Sequence, residues 1–406
     1  MPFDSGTLPR MTQQDALYRA VCEHPDEDTP RLIFADWLEE TGDARRAAFI
    51  RTQIELARVP EHDPLWAKCR RGDPNAIRGW AMAHTLPALP DGFSWRSFQF
   101  RRGFPWHAAL TSVEGLLKRG DQLFAAAPIQ SLEVDADCSL MQSVAYASGS
   151  YCALADCTHL ERLTRLAFNH TRFGKAAMHQ LGHSPFAAKL TQLSFEGHAI
   201  ETEGLAALAA SPVFARLKRF ELHRAALPPA LAMDALAAAP AASLRMLSLS
   251  DCKFPAPDVA HLLALPVAEG ITSLDVSRNP LHSEGVEALA GSRVLRGLEH
   301  LDLSGTFPGV PGVWALAKSG SLGNLRRLNL AANRLGPTAV QHLCEAEDLR
   351  GLRMLDLSRN PIGAAGARAL VECPQLDGLV ELDLRGCELP VASAAKLEAR
   401  FAVLRA

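Results

Sequence analysis

The chain has 406 residues, a formal charge of −3 and 48% apolar residues, enough to bury a large core. Neither half is strongly basic, which argues against nucleic acid as a partner, and no apolar run reaches membrane-spanning length. Nine cysteines, scattered and odd in number, point to a reducing cytosol rather than a disulfide framework. The first residues also lack the basic-then-apolar pattern of a secretory leader.

Residues 12–60 predict two or three short helices. Thr12 is a plausible cap, followed by an apolar stripe at Leu17, Val21 and Cys22. A proline-acid break leads to a second stripe at Leu32, Ile33, Trp37 and Leu38. Gly42 and Asp43 break the chain before Phe49, Ile50, Ile54 and Leu56. Residues 61–128 are less regular and predict a capping region. The alternating runs of Phe93 to Leu110, on either side of Arg101-Arg102-Gly103, predict a hairpin.

From residue 129 onward one phrase recurs: apolar-x-x-apolar-x-apolar-x-x-(Asn/Cys/Thr)-x-apolar. A degenerate copy starts at Ile129. Nine regular copies start at Leu163, Leu190, Leu217, Leu244, Ile271, Leu298, Leu325, Leu352 and Leu379, always 27 residues apart. Such regularity implies the turns of a solenoid, each too thin to bury its apolar side alone. The alternation at Leu298, Leu301 and Leu303 fits a short strand. The following Ser283-to-Gly297 type of stretch has helical spacing. Strands stacked about 4.8 Å apart and helices about 8–10 Å apart predict a bend of about 20° per repeat. The degenerate copy lies 34 residues before Leu163, so residues 139–152 carry an insertion. The last segment, Val391 to Ala406, predicts an amphipathic helix with Leu397, Phe401 and Leu404 facing inward.

Position nine of the phrase reads Thr171, His198, Ala225, Cys252, Asn279, Thr306, Asn333, Asn360 and Cys387. It is expected to point inward and satisfy backbone groups at the strand end. Ala225 has no polar side-chain atom, so a bound water or a distortion is expected there.

The phrase resembles the leucine-rich repeat, most clearly in "LDVSRNPL", "LNLAANRL" and "LDLSRNPI". The repeat length and helical second half are most similar to the ribonuclease-inhibitor subclass. The resemblance implies an α/β fold: a right-handed solenoid with a parallel concave sheet and convex helices. The segments "DEDTPRLIFADWLEETGD" and "AAFIRTQIELAR" resemble a short repeat-companion domain found at the N-terminus of many bacterial proteins of this kind. The expected organisation is therefore a companion module at 12–60, a cap at 61–128 and a solenoid at 129–406.

No phosphate loop, nucleophile elbow or zinc helix is present in the sequence. Cys138, Cys152, Cys157 and His159 cluster near the insertion, but without the paired spacing of a zinc site. His179 and His183 lie four apart with no third ligand. No cofactor is expected. The expected concave face carries more signal. Position five supplies Glu221, Asp275, Asp302, Asn329, Asp356 and Asp383; the flanking positions supply Arg219, Arg224, Arg278, Arg327, Arg359 and Arg385. Aspartate between two leucines also simply solvates such a sheet. The expectation is a non-enzymatic, monomeric, cytoplasmic bacterial scaffold or adaptor that binds a protein partner, with no role for nucleic acid or membrane. The alternatives are an effector or enzyme with a metal site near the insertion, or a purely structural repeat protein.

Overall fold

A computed structural model describes residues 11–59, 86–95, 100–135, 152–170, 174–197, 200–225, 227–239, 243–401 and 403–405. Residues 61–85, most of the 139–152 insertion, Cys138, Thr171 and His198 lie outside the described residues.

Three helices open the chain: α1 (Gln13–Glu23), α2 (Thr29–Glu40) and α3 (Ala44–Leu56). Thr12 and Asp15 form a reciprocal capping box at the start of α1, which satisfies two orphan N–H groups. The module buries Val21, Phe34, Leu38, Ala47, Ile50 and Ile54 around Phe104. One expectation fails in α2. Ile33 is 49% exposed, whereas Phe34 is fully buried, because the helix packs on α3 through the face one residue further on.

Phe104 comes from the predicted hairpin, β2 (Phe100–Arg101) and β3 (Phe104–Pro105). Its turn residues Arg102 and Gly103 both have left-handed φ, 53° and 82°, as a two-residue hairpin turn requires. A Cβ at Gly103 would meet the Ile50 backbone at 2.6 Å, so only glycine lets the turn rest on α3. Arg102 donates to the Asp26 carbonyl, Tyr18 to the Ala126 carbonyl, and Gln130 to Asp26. The helices thus lie against the first turns of the solenoid.

Among the described residues the main sheet has thirteen strands. β1 (Phe93–Ser94) is an antiparallel edge on β4 (His107–Leu110). The rest run parallel: β5 (Ser131–Asp135), β6 (Arg165–Asn169), β7 (Gln192–Glu196), β8 (Arg219–His223), β9 (Met246–Ser250), β10 (Ser273–Asp275), β11 (His300–Asp302), β12 (Arg327–Asn329), β13 (Met354–Asp356), β14 (Glu381–Asp383) and β15 (Val403–Arg405). From β6 to β14 partners are offset by 27 residues, as in Leu274↔Leu301 and Leu301↔Leu328. Helices from each repeat pack on one another in the same order, and a single apolar core runs between the two layers. The architecture is the α/β leucine-rich-repeat solenoid.

Two ends differ from expectation. β4 and the helix α4 (Val113–Ala126) already form a strand-helix turn parallel to β5, so the stack begins inside the region read as a cap. At the far end the helix stops at Arg400, and Leu404 lies on β15 rather than on the helix. Phe401 is extended, and the connection to the strand is too short for the usual return. Arg400 also turns back to donate to the Leu370, Val371 and Cys373 carbonyls and to Asp377, closing off the preceding helix end.

The position-nine ladder is as expected. Asn279 Oδ1 accepts from the Cys252 and Phe254 N–H groups, and its amide donates to the Leu249 and Val276 carbonyls. Asn333 and Asn360 repeat this pattern. Thr306 and Cys387 donate to the Leu303 and Leu357 carbonyls. Ala225 is buried at this place, and the Cys252 thiol of the next repeat donates to the Leu222 carbonyl.

Two further columns were not anticipated. Position eight is left-handed in all nine regular repeats, whether the residue is His170, Arg224, Asp251, Arg278, Ala332 or Arg359, or a glycine such as Gly305. A second column precedes the return to the next strand: Cys157, Ser184, Ser211, Ser292, Ser319 and Cys373 share the 27-residue phase. Ser211 Oγ accepts from the Phe214 N–H, whereas Cys157 holds the same place before its return helix with no side-chain cap.

Candidate functional site

On each strand, positions four and six face the core, so positions three and five project from the concave side. Across β8 to β15 these side chains line an open groove of about 570 Å³. Among the expected residues it brings together Arg219, Asp275, Asp302, Asn329, Asp356, Asp383, Arg327 and Arg385. It also recruits Met246, His300, Met354 and Arg405. The first three sit at position three, visible in the repeat register; Arg405 depends on β15 and was not.

The acidic column does more than solvate the sheet. Asp275, Asp302, Asn329, Asp356 and Asp383 each accept, through Oδ1, the N–H two residues further on. A short side chain can close this Asx turn. Every strand with Asp or Asn at position five has three residues, ending there; strands with Glu133, Ala167, Ser194, Glu221 or Ser248 at that place have five. The second carboxylate oxygens are also engaged. Ser248 donates to Asp275, and Asn329 donates to Asp302, both at 2.7 Å.

Burial, reinforced by the Asp275 charge, pushes the Asp302 carboxyl above its usual range. Burial also pushes Asp383 upward, but the Arg385 hydrogen bonds and the Arg385 and Arg405 charges outweigh it and hold that carboxyl low. Arg405 pairs with Glu381 at 2.7 Å. Arg219 and Arg327 lie against the sulfurs of Met246 and Met354.

The expected basic flank divides. Arg219, Arg327 and Arg385 line the groove, but Arg224, Arg278 and Arg359 do not. These three occupy the left-handed position eight, beyond the strand ends, and form part of an outer rim. Glu221 lies at the groove's border, paired with Arg219 at 3.4 Å and His223 at 3.9 Å. Burial opposes both charges of the Glu221–His223 pair. Their mutual hydrogen bond and neighbouring charges win, so Glu221 is lowered and His223 raised.

Ser250 Oγ lies 2.5 Å from His223 Nδ1, a nucleophile-base-acid order with Glu221. Acyl transfer also needs donors aimed at an oxyanion. The next two N–H groups, of Asp251 and Cys252, are given to the Ser277 carbonyl and Asn279. The arrangement is therefore a sheet-surface network.

Of the metal candidates, Cys157 is buried at the start of a return helix and His159 packs on Phe124 at 5.6 Å. Cys152 is half-buried against the core. His179 and His183 stack at 4.3 Å. Among the described residues no group of three or more His, Cys, Asp or Glu is placed to hold a metal. No described helix is long and apolar enough to cross a membrane.

Residues 271–290 and 352–371 match the leucine-rich-repeat family model, both from the first residue of a phrase. A chain of the yeast Rad7 and Elc1 complex is similar in structure at 16% identity and a TM-score of 0.48, covering 97% of this chain and 92% of that one. A protein from Bacteroides fragilis is similar at 17% identity and a TM-score of 0.36, covering 54% of this chain and 65% of that one. No curated protein matches the sequence.

Proposed function

We propose that this leucine-rich-repeat chain is a non-enzymatic protein-binding scaffold that receives its partner in the concave groove. The observation that carries the reading is the groove itself. Methionines at Met246 and Met354 offer adaptable apolar contact, His300 and Arg327 lie between them, and an acidic line interrupted at Asn329 runs alongside. Apolar contact with polar groups at its border is the composition of a protein interface. Glu221, Asp275, Asp302, Asn329, Asp356 and Asp383, with Arg219, Arg327 and Arg385, are the proposed contacts. Arg224, Arg278 and Arg359 would meet only a partner that reaches over the rim.

The same reading keeps residues 12–60 as a companion module, 61–128 as the segment that closes the stack and 129–406 as the regular solenoid. It also keeps a monomer in a reducing bacterial cytoplasm. Capture of partners from the native cell tests it, comparing the wild type with a Met246→Ala, Met354→Ala double variant. Groove docking predicts loss of a reproducible partner with little change in melting temperature. Retention of every partner by the double variant refutes groove docking.

A further inference from the structure

The sixth regular repeat departs from its neighbours on the outer surface. Phe307, Val310 and Trp314 are 40%, 38% and 49% exposed. One repeat earlier and one later, the place of Trp314 is taken by Glu287 and Gln341, and that of Phe307 by Pro280 and Arg334. The two exposed aromatics are therefore a local feature, whereas the place of Val310 is also exposed at Val391.

Val310 and Trp314 share one face of the helix Gly309–Lys318, being four residues apart. Phe307 sits in the turn just before it, with a left-handed φ of 59°. An aromatic residue is strained there. Asn333 Oδ1 holds its N–H at 2.8 Å, so the ladder fixes the ring outside. His282 stacks on this ring at 6.4 Å, and the Arg334 guanidinium lies over it at 5.4 Å.

The surrounding rim is basic. In the four repeats from Ile271 to Gly378, positions eight and ten hold Arg278, Arg334 and Arg359 and no carboxylate. All three arginines are exposed, and none is in an ion pair among the described residues. This contrasts with the groove, where Arg385 and Arg405 are paired with carboxylates.

We propose that this surface is a second docking site, separate from the groove, for an acidic protein segment with an apolar anchor. The anchor would cover Phe307 and Trp314, and its flanking carboxylates would meet the rim arginines. Exposed charge pairs contribute modestly and mainly steer the encounter. A buried aromatic contact carries most of the affinity.

The test is fluorescence anisotropy with a fluorescein-labelled synthetic peptide alternating Asp with Leu and Phe, and a Lys counterpart as control. The wild type should bind the acidic peptide at least about tenfold more tightly. Trp314→Ala should weaken binding about tenfold or more, and adding Phe307→Ser should weaken it further. The triple reversal Arg278→Glu, Arg334→Glu, Arg359→Glu should invert the preference towards the Lys peptide. The groove variant Met246→Ala, Met354→Ala should leave peptide affinity unchanged, which separates this site from the groove. If Phe307→Ser fails to fold, Trp314→Ala alone decides. Equal affinity for the two peptides overturns the proposal, as does indifference to Trp314→Ala. So does loss of peptide binding only in the groove variant. Self-association abolished by Trp314→Ala, or Trp314-dependent binding to phosphatidylserine vesicles with no peptide binding, assigns the patch to another occupant and also overturns it.

Discussion

Replacing Asn333 by alanine probes the ladder that joins one repeat to the next. Asn333 is 3% exposed. Its Oδ1 accepts from the Thr306 and Phe307 N–H groups, both at 2.8 Å, and its amide donates to the Leu303 and Leu330 carbonyls at 2.8 and 3.0 Å. Alanine orphans the two N–H groups and removes one donor from each carbonyl, Leu303 keeping Thr306 Oγ1 and Leu330 keeping the Asn360 amide. A buried orphan costs about 1–3 kcal/mol, and less for a carbonyl that keeps a second lone pair in use. Taking about 1.5 kcal/mol for each donor and about 0.5 kcal/mol for each acceptor gives about 4 kcal/mol. A water entering the vacated volume lowers this to about 3 kcal/mol. Arg334→Ala, next in the same turn, loses only an exposed cation-ring contact of about 0.5 kcal/mol. Urea denaturation followed by circular dichroism measures the difference. Because stability in such stacks is a sum of neighbour terms, the variant should also split the transition, with the C-terminal repeats released first. Amide exchange supplies a local readout: Thr306 and Phe307 should lose protection. A cost within about 1 kcal/mol of Arg334→Ala, with both amides still protected, would refute the ladder's energetic role.

Leu328, buried at 1% exposure between neighbouring strands, should cost about 2–5 kcal/mol when changed to alanine, read as a large fall in melting temperature. Asp275→Ala should lose the Asx turn at about 1 kcal/mol; Asp275→Asn should keep it and let the Asp302 carboxyl titrate lower, as followed by NMR, and an unmoved Asp302 would show that the Asp275 charge does not reach it. His223 is raised above 6.5, so its stabilisation is complete below that pH and fades as pH rises through the folded value. Glu221 is lowered below 4.5, so its share is present above that pH and fades as pH falls through the folded value; a His223→Gln melting series should lose the upper of these two pH-dependent steps. At the left-handed position eight, Ala332→Gly should stabilise by about 1 kcal/mol and Gly386→Ala should destabilise by about as much, and opposite signs in a denaturation series would contradict the observed φ values.

The stack was legible because core leucines must repeat when each turn is a copy of the last. Leu274, Leu301 and Leu328 pair in the register that the 27-residue spacing predicts. The asparagine ladder was legible for a similar reason, since only a side chain that both donates and accepts serves two strand ends. The left-handed column was not, because Arg278, Ala332 and Asp251 give no local sign of positive φ; the ladder imposes it from outside the residue. Cys157 was weighed as a metal ligand because it was read beside its sequence neighbours. Read in the repeat phase, it stands in line with Ser184 and Ser211, each at the residue before a return helix. β15 escaped notice because it pairs with Glu381 at an offset of 22 residues, shorter than the repeat.

The position-five aspartates show how a repeated charge can mislead when read only as surface chemistry. Each spends one oxygen on its own backbone, and Asp275 and Asp302 spend the other on a neighbouring side chain. Changing them to lysine would therefore remove a backbone partner as well as a charge, so a lost interaction would not by itself locate a partner. Asparagine already occupies this column at Asn329 without lengthening its strand, which makes Asp→Asn the replacement that separates charge from turn. Position eight obeys the opposite logic. Its backbone is fixed by the ladder beneath it, while the side chains of Arg278 and Arg359 remain exposed and outside ion pairs. That column is constrained in φ but open in side chain; Arg224 pairs there with Glu196 and Asp251, whereas the charge of Arg278 and Arg359 is available to a partner and charge at position five is largely committed to the fold.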